Sequence, residues 1–284
     1  MTFSGRLTAT NGRQALANVT ASFGPSLTAI TDGTGAFSIR FQPGTTSRLT
    51  LEGPTIVPRS LVASVSQTRV LDVDAIALGG SFDLKFYRQL VRDDVDSPGV
   101  LRQLRRWTQA PNIYLRTIDD SGRAIDAATL DSTEAVIRQT TPLWTGGRFG
   151  VGIVERGTDT RQAVAGWITV IWISSPEYGE KYCGRAEVAV SGGAIELYAR
   201  GSCRCAGAPL VGPAVVRHEL GHALGFFHSD SSQDVMWNKG VYCNEPLSAR
   251  ELYHAAIAYA RPVGNADPDA DPTSTVYMQP LRIP

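Results

Sequence analysis

From residue 3 to about residue 76, hydrophobic and polar positions alternate in short runs: FSGRLTAT, ANVTASF, LTAITD, GAFSIRF, SRLTLEG, SLVASVS and TRVLDVDAI. Gly, Pro, Asn and Asp punctuate them. A period of two broken by turn residues is the pattern of half-buried strands. About seven such runs predict a small antiparallel sandwich over residues 1–78. Asp32-Gly33-Thr34-Gly35 reads as a hairpin turn feeding the strand Ala36–Phe41. The stretch Ile76–Gly80 marks a boundary.

Beyond it the period lengthens. FDLKFYRQLVRDDVDSPGVLRQLRRWTQAP reads as helix, broken at Ser97-Pro98-Gly99. Arg102, Arg105, Arg106 and Trp107 then fall on a solvated helix face. NIYLRTID at 112–119 is a strand turning at Asp119–Gly122. In LDSTEAVIRQTTPLW, Asp131 caps a helix and Glu134 reaches back to it. Strands follow near 149–157 and 166–174, the second apolar enough to be central. AEVAVSGG and AIELYARG form a hairpin, and Pro213 opens a further helix. In LSARELYHAAIAYARP, Ser248 and Glu251 form a capping box and His254 lies on the outer face. These elements predict an α+β domain over 82–262 and a Pro- and Asp-rich tail over 263–284.

Candidate chemistry concentrates in HELGHALGFFH, residues 218–228, which holds three of the four histidines. On a helix, His218 and His222 project to one side, one turn apart. Val216, Leu220 and Ala223 form an apolar stripe on another face. Gly225 permits a left-handed turn that ends the helix and lets His228 come up as a third ligand. Three neutral imidazoles with one open position suit Zn2+, and Glu219 is placed as general base for a water.

The extended run, followed by a methionine, resembles the signature of the metzincin zinc metalloendopeptidases. Ser229 after the third histidine, and Met236 within DVMW, resemble the matrixin branch. The resemblance implies that His218, His222 and His228 bind one catalytic zinc, that Glu219 is the base, and that Met236 lies beneath the metal. It also implies that the last strand before the active helix is an edge strand, so that Ile195 and Tyr198 line the substrate cleft. Trp237 stands where matrixins carry Tyr, which alters the adjoining pocket, and Tyr242 in the next loop is a candidate oxyanion donor. No histidine occurs in AEVAVSGGAIELYARG. That argues against a second histidine-bound zinc and leaves calcium open. The first segment resembles carboxypeptidase-regulatory or transthyretin-like sandwich domains, implying a spacer or stability role.

Composition narrows the setting. The chain has 284 residues, 43% hydrophobic and 19% charged, with 27 basic and 27 acidic side chains. Such a balance gives no pull toward nucleic acid or a membrane surface. No apolar run approaches membrane-spanning length. MTFSGRL lacks a signal-peptide pattern. Cys183, Cys203, Cys205 and Cys243 all lie in the second domain. Joining Cys203 to Cys205 would strain so short a loop, so Cys183 and Cys243 are each expected to take one of them. That favours a secreted or periplasmic protein, with free thiols or a four-thiolate metal site as the other readings. The expected function is zinc-dependent endopeptidase acting on protein or peptide substrates as a monomer. The alternatives are a zinc-bearing binding or adhesion protein whose sandwich is the functional module, and a metal-dependent hydrolase of another substrate.

Overall fold

The computed structural model describes every residue except 1, 13, 41–44, 66–68, 161–163, 180, 190, 200–211, 240–245, 277 and 283–284. The described residues form five helices and three sheets, an α+β architecture. The chain divides into two compact units, Met1–Leu84 with Ala260–Val276, and Lys85–Tyr259 with Tyr277–Pro284. The segment read as a tail is therefore shared between them.

The first unit contains β1 (Thr2–Ala9), β2 (Thr20–Phe23), β3 (Leu27–Ile30), β4 (Ala36–Arg40), β5 (Thr45–Glu52), β6 (Arg59–Val65) and β7 (Arg69–Ala75). One sheet runs β4-β1-β7 and the other β3-β2-β5-β6. Alternation along β1 sends Phe3, Leu7 and Ala9 inward to meet Val19, Phe23, Phe37 and Leu49. Two expectations change. β1 and β7 pair in parallel, so the sandwich is not wholly antiparallel. The Asp32–Gly35 turn is no hairpin, because β3 and β4 belong to different sheets. Asp32 nevertheless builds the turn, its carboxylate accepting from the Thr34 and Ala36 amides.

A buried ionic clasp holds residues 260–276 in this unit. Arg261, fully buried, donates to Asp269 at 2.7 Å, Asp74 at 2.6 Å and the Thr10 hydroxyl at 2.8 Å. Arg59 reaches Asp74 at 3.1 Å and Asp271 at 3.2 Å. The Asp-rich run thus commits two carboxylates to guanidinium groups. Burial works against the Asp74 carboxylate, but Arg261 and Arg59 outweigh it and hold its pKa below 3.8.

The second unit contains α1 (Leu84–Arg92), β8 (Asn112–Asp119), α2 (Ala127–Trp144), β9 (Val154–Gly157), β10 (Trp167–Ile173), α3 (Pro176–Gly179), β11 (Gly184–Val188), β12 (Gly193–Tyr198), α4 (Pro213–Ala223), α5 (Ala249–Tyr259) and β13 (Leu281–Arg282). Its sheet runs β13-β11-β12-β10-β8-β9. The apolar β10 is interior and parallel to both neighbours. β11 returns antiparallel to β12 as a hairpin. Among the described residues no helix is long and apolar enough to cross a membrane.

Several local expectations are corrected. α2 begins earlier because Asp126 supplies the cap, accepting from the Thr129 amide at 2.9 Å. Asp131 and Glu134 instead hold Arg156 from within the helix, each at 2.8 Å. After α1, Asp93 adopts φ 67° and residues 93–110 are irregular. The Arg102–Trp107 stretch is therefore no solvated helix face. Trp107 is fully buried, and Arg105 donates to backbone carbonyls. His254 is buried as well, edge-on to Phe86 with ring centroids 4.9 Å apart. The capping box of α5 is present: the Ser248 amide donates to Glu251 at 2.7 Å and the Glu251 amide to the Ser248 hydroxyl at 3.2 Å.

Removing Asp269 leaves the Arg261 guanidinium buried beside fewer counter-charges. Asp269→Ala is expected to destabilise the first unit by about 3–5 kcal/mol in denaturant titration. Because the folded-state pKa of Asp74 is depressed, its contribution is full above the ordinary value of 3.8 and is lost as pH falls below it.

Candidate metal centre

The site is built on α4. Pro213 stands at its first position, and Val216, Leu220 and Ala223 are buried. A helix end leaves carbonyls without intrahelical partners. Here large side chains and the following backbone take them. Trp107 Nε1 donates to the Ala223 carbonyl at 2.7 Å and the Tyr259 hydroxyl to that of Leu224 at 2.8 Å, while Trp144 Nε1 adds a bond to the mid-helix Arg217 carbonyl at 3.2 Å. The Gly225 amide donates to His222 O at 2.8 Å. Gly225 has φ 107°, and a Cβ there would fall 2.3 Å from the Arg105 carbonyl oxygen. Only glycine permits this turn, which carries the chain back to His228.

His218, His222 and His228 come together, one ligand nitrogen from each within 4.8 Å of the others. Their other nitrogens are all engaged. Nδ1 of His218 lies 2.7 Å from the Val235 carbonyl oxygen, Nδ1 of His222 lies 2.9 Å from that of Phe226, and Nδ1 of His228 lies 2.6 Å from Asp96 Oδ2. A carbonyl oxygen only accepts, so Nδ1 carries the proton in His218 and His222. A neutral imidazole has one N–H, which leaves Nε2 as a bare lone pair on each. Those two lone pairs face each other at 3.0 Å. Such an arrangement repels itself unless a cation sits among the nitrogens, so the donor set fits a metal ion. Burial first, then His228, pushes His218 down to about 4. Burial, His228 and His218 together hold His222 well below its ordinary value. Both are neutral ligands at neutral pH.

Glu219 lies beside the first of these histidines and is buried. Its Oε2 has no hydrogen-bond partner among the described residues. Burial, and next the Glu196 carboxylate, raise its pKa well above 4.5, opposed by Arg185. Arg185 and Glu196 are register partners across β11 and β12. Gly184 brings the β11 backbone directly against Glu219; a Cβ there would fall 2.6 Å from its Oε1. Tyr178 on α3 is close by, its pKa raised by burial, then by Glu196 and Glu219.

Met236 is fully buried beneath α4, where a Cβ on Gly221 would fall 2.6 Å from its Sδ. Its amide donates to Glu251 Oε1 at 2.9 Å, so the carboxylate that closes the α5 capping box also holds this turn. Trp237 is half-buried after it. Ile195 and Tyr198 sit on β12, which is interior, with β11 and then the two-residue β13 outside it. The expectation that they border the cleft from an edge strand is corrected. The hairpin folds β11 outward past β12, and Tyr198 packs against Gly179 instead. Tyr242, Cys203, Cys205 and Cys243 lie outside the described residues; Cys183 is disulfide-bonded.

Sequence reasoning missed Asp96, Arg185, Glu196, Tyr178 and Gly184. Asp96 had one signal, its place in the acidic DDVDSPG break, but nothing in the sequence paired that loop with His228.

No family model matches the chain, and no curated protein matches it. Among solved structures, it is similar to chains from two cohesin–X-dockerin complexes of Acetivibrio cellulolyticus. One, an N-terminal interface mutant, shares 21% identity over 27% of this chain and 58% of that one, with a TM-score of 0.24. The other, a C-terminal interface mutant, shares 23% over 26% and 51%, with a TM-score of 0.21. The chain thus spans little more than half of each, and likeness at this level does not bear on the site.

Loss of the Asp96 carboxylate should free the His228 ring to turn. Asp96→Asn is expected to weaken divalent-metal affinity by about 10–100-fold, read by competition against a chelator.

Proposed function

We propose that this protein is a zinc-dependent endopeptidase of metzincin type, hydrolysing peptide bonds in protein substrates with Glu219 as general base. One observation carries the proposal. Three imidazole nitrogens converge with their Nδ1 atoms already satisfied, beside a buried carboxylate oxygen that no described residue satisfies. A buried polar atom without a partner calls for an explanation, and a group held at the imidazole cluster supplies one for Glu219. A three-imidazole set with one open position favours zinc. The order β8, α2, β9, β10, the β11–β12 hairpin and α4 follows the family that the HELGHALGFFH run resembles. The disulfide-bonded Cys183 fits an oxidising compartment, as a secreted or periplasmic enzyme requires.

Zinc, when bound by His218, His222 and His228, supplies Lewis acidity toward the scissile carbonyl and lowers the pKa of a water. The protein's own groups do the rest. Glu219 takes the proton from the attacking water and passes it to the departing amine. Burial and Glu196 raise its pKa, and Arg185 restrains the rise. Gly184 keeps β11 close enough to hold that carboxylate in place. The outer edge of Gly184–Ala186 has no strand partner among the described residues, and an extended peptide can pair with it by backbone hydrogen bonds.

Glu219→Ala is expected to keep stoichiometric zinc and to lose hydrolysis of an unfolded protein by about 100-fold or more. Near-normal turnover in that variant would remove Glu219 from the role. Gly184→Ala should push the Glu219 carboxylate aside, lowering kcat while metal content, read by elemental analysis, stays full.

A further inference from the structure

We infer that the outer edge of β11 is guarded by the chain's own segment Gln279–Arg282, which lies where a peptide would lie and must leave before a long substrate can bind. The inference rests on the peptidase reading and adds a self-competing strap to it. Leu281 and Arg282 pair antiparallel with Val188 and Glu187. The strap therefore occupies one end of the edge whose other end, at Gly184, adjoins Glu219. The two ends are three to four residues apart, about 10–13 Å along a strand.

Three contacts hold the strap. Backbone pairing is the first. Second, Leu281 packs on the buried pair Val188 and Phe227, and Phe227 immediately precedes the ligand His228. Third, Arg105 Nη1 bridges the two partners, donating to Val188 O at 3.1 Å and to Gln279 O at 2.6 Å. Each contact uses chemistry that any extended peptide with an apolar side chain shares: main-chain groups, one seat for a leucine-sized side chain, and one carbonyl for the guanidinium. An incoming peptide can reproduce all three.

The strap runs from Val188 toward Gly184, so a substrate in the same direction places its N-terminal side over the strap. A peptide reaching three or more residues N-terminal to the position opposite Gly184 meets Arg282. A peptide that stops short of it meets none of the described strap residues.

The test compares the full chain, the chain ending after Met278, and full-length Leu281→Asp. All are loaded with zinc and assayed on a short and a long peptide series. A tethered strap acts at an effective concentration near the millimolar range. Removing it is expected to lower KM for long peptides by roughly 3- to 10-fold, leaving kcat and the short-peptide constants unchanged. Leu281→Asp should move the same way. A synthetic peptide of residues 278–284 should bind the truncated Glu219→Gln protein and protect the Glu187 and Val188 amides from hydrogen exchange. Unchanged KM for long peptides in both folded variants, or no binding of the synthetic peptide, overturns the strap. Should no variant hydrolyse any peptide, the peptidase reading fails, while binding and exchange still decide whether the segment is displaceable.

Discussion

Everything at the centre of the second unit depends on three hydrogen bonds, one from each histidine Nδ1 to a fixed oxygen. They set the tautomers, turn the rings and leave the Nε2 lone pairs facing one point. Each acceptor has its own support. Phe226 is placed by the Gly225 turn, Val235 by the Met236 turn that Glu251 holds, and Asp96 by the irregular segment after α1. The large aromatic residues Trp107 and Tyr259 take carbonyls at the end of α4, so the helix that carries His218 and His222 is anchored where a helix is weakest. Bare nitrogens 3.0 Å apart are unfavourable by themselves, and a cation converts that into affinity.

The same logic extends to the carboxylate. Glu219 is buried with one oxygen unsatisfied among the described residues, an arrangement that costs stability. The cross-strand neighbours Arg185 and Glu196 act on it in opposite directions, and β11 passes close enough at Gly184 that an added methyl group would displace the carboxylate. One strand thus packs against the Glu219 carboxylate at Gly184, leaves the outer side of Gly184–Ala186 without a strand partner among the described residues, and pairs with Leu281 and Arg282 at its far end.

What could be read from the sequence was local. The seven sandwich strands, β8 at both its ends, the α5 capping box and the left-handed turn at Gly225 each follow from residue types within a few positions of one another. The histidine cluster was legible because two ligands share a helix face and one glycine returns the third. Long-range pairings were not. Asp96 meets His228 across 132 residues, Arg261 meets Asp74 across 187, and Leu281 crosses to Val188. None leaves a periodic trace. Errors of sequence reading arose where a competing local contact won: Asp126 capped α2 ahead of Asp131, and a positive φ at Asp93 ended α1 before the arginines. His254 has a polar ring on an otherwise outward position, yet α1 covers it with Phe86. The edge-strand expectation failed because a hairpin reverses which of its two strands lies outside.

The central claim is that three imidazoles, and no thiolate, hold one catalytic metal with a position to spare. X-ray absorption on the protein loaded with one equivalent of zinc tests it most directly. The expected result is three nitrogen neighbours at about 2.0–2.1 Å and one oxygen, altered on replacing His228. A sulfur neighbour at about 2.3 Å, or failure to retain one zinc, would contradict the account.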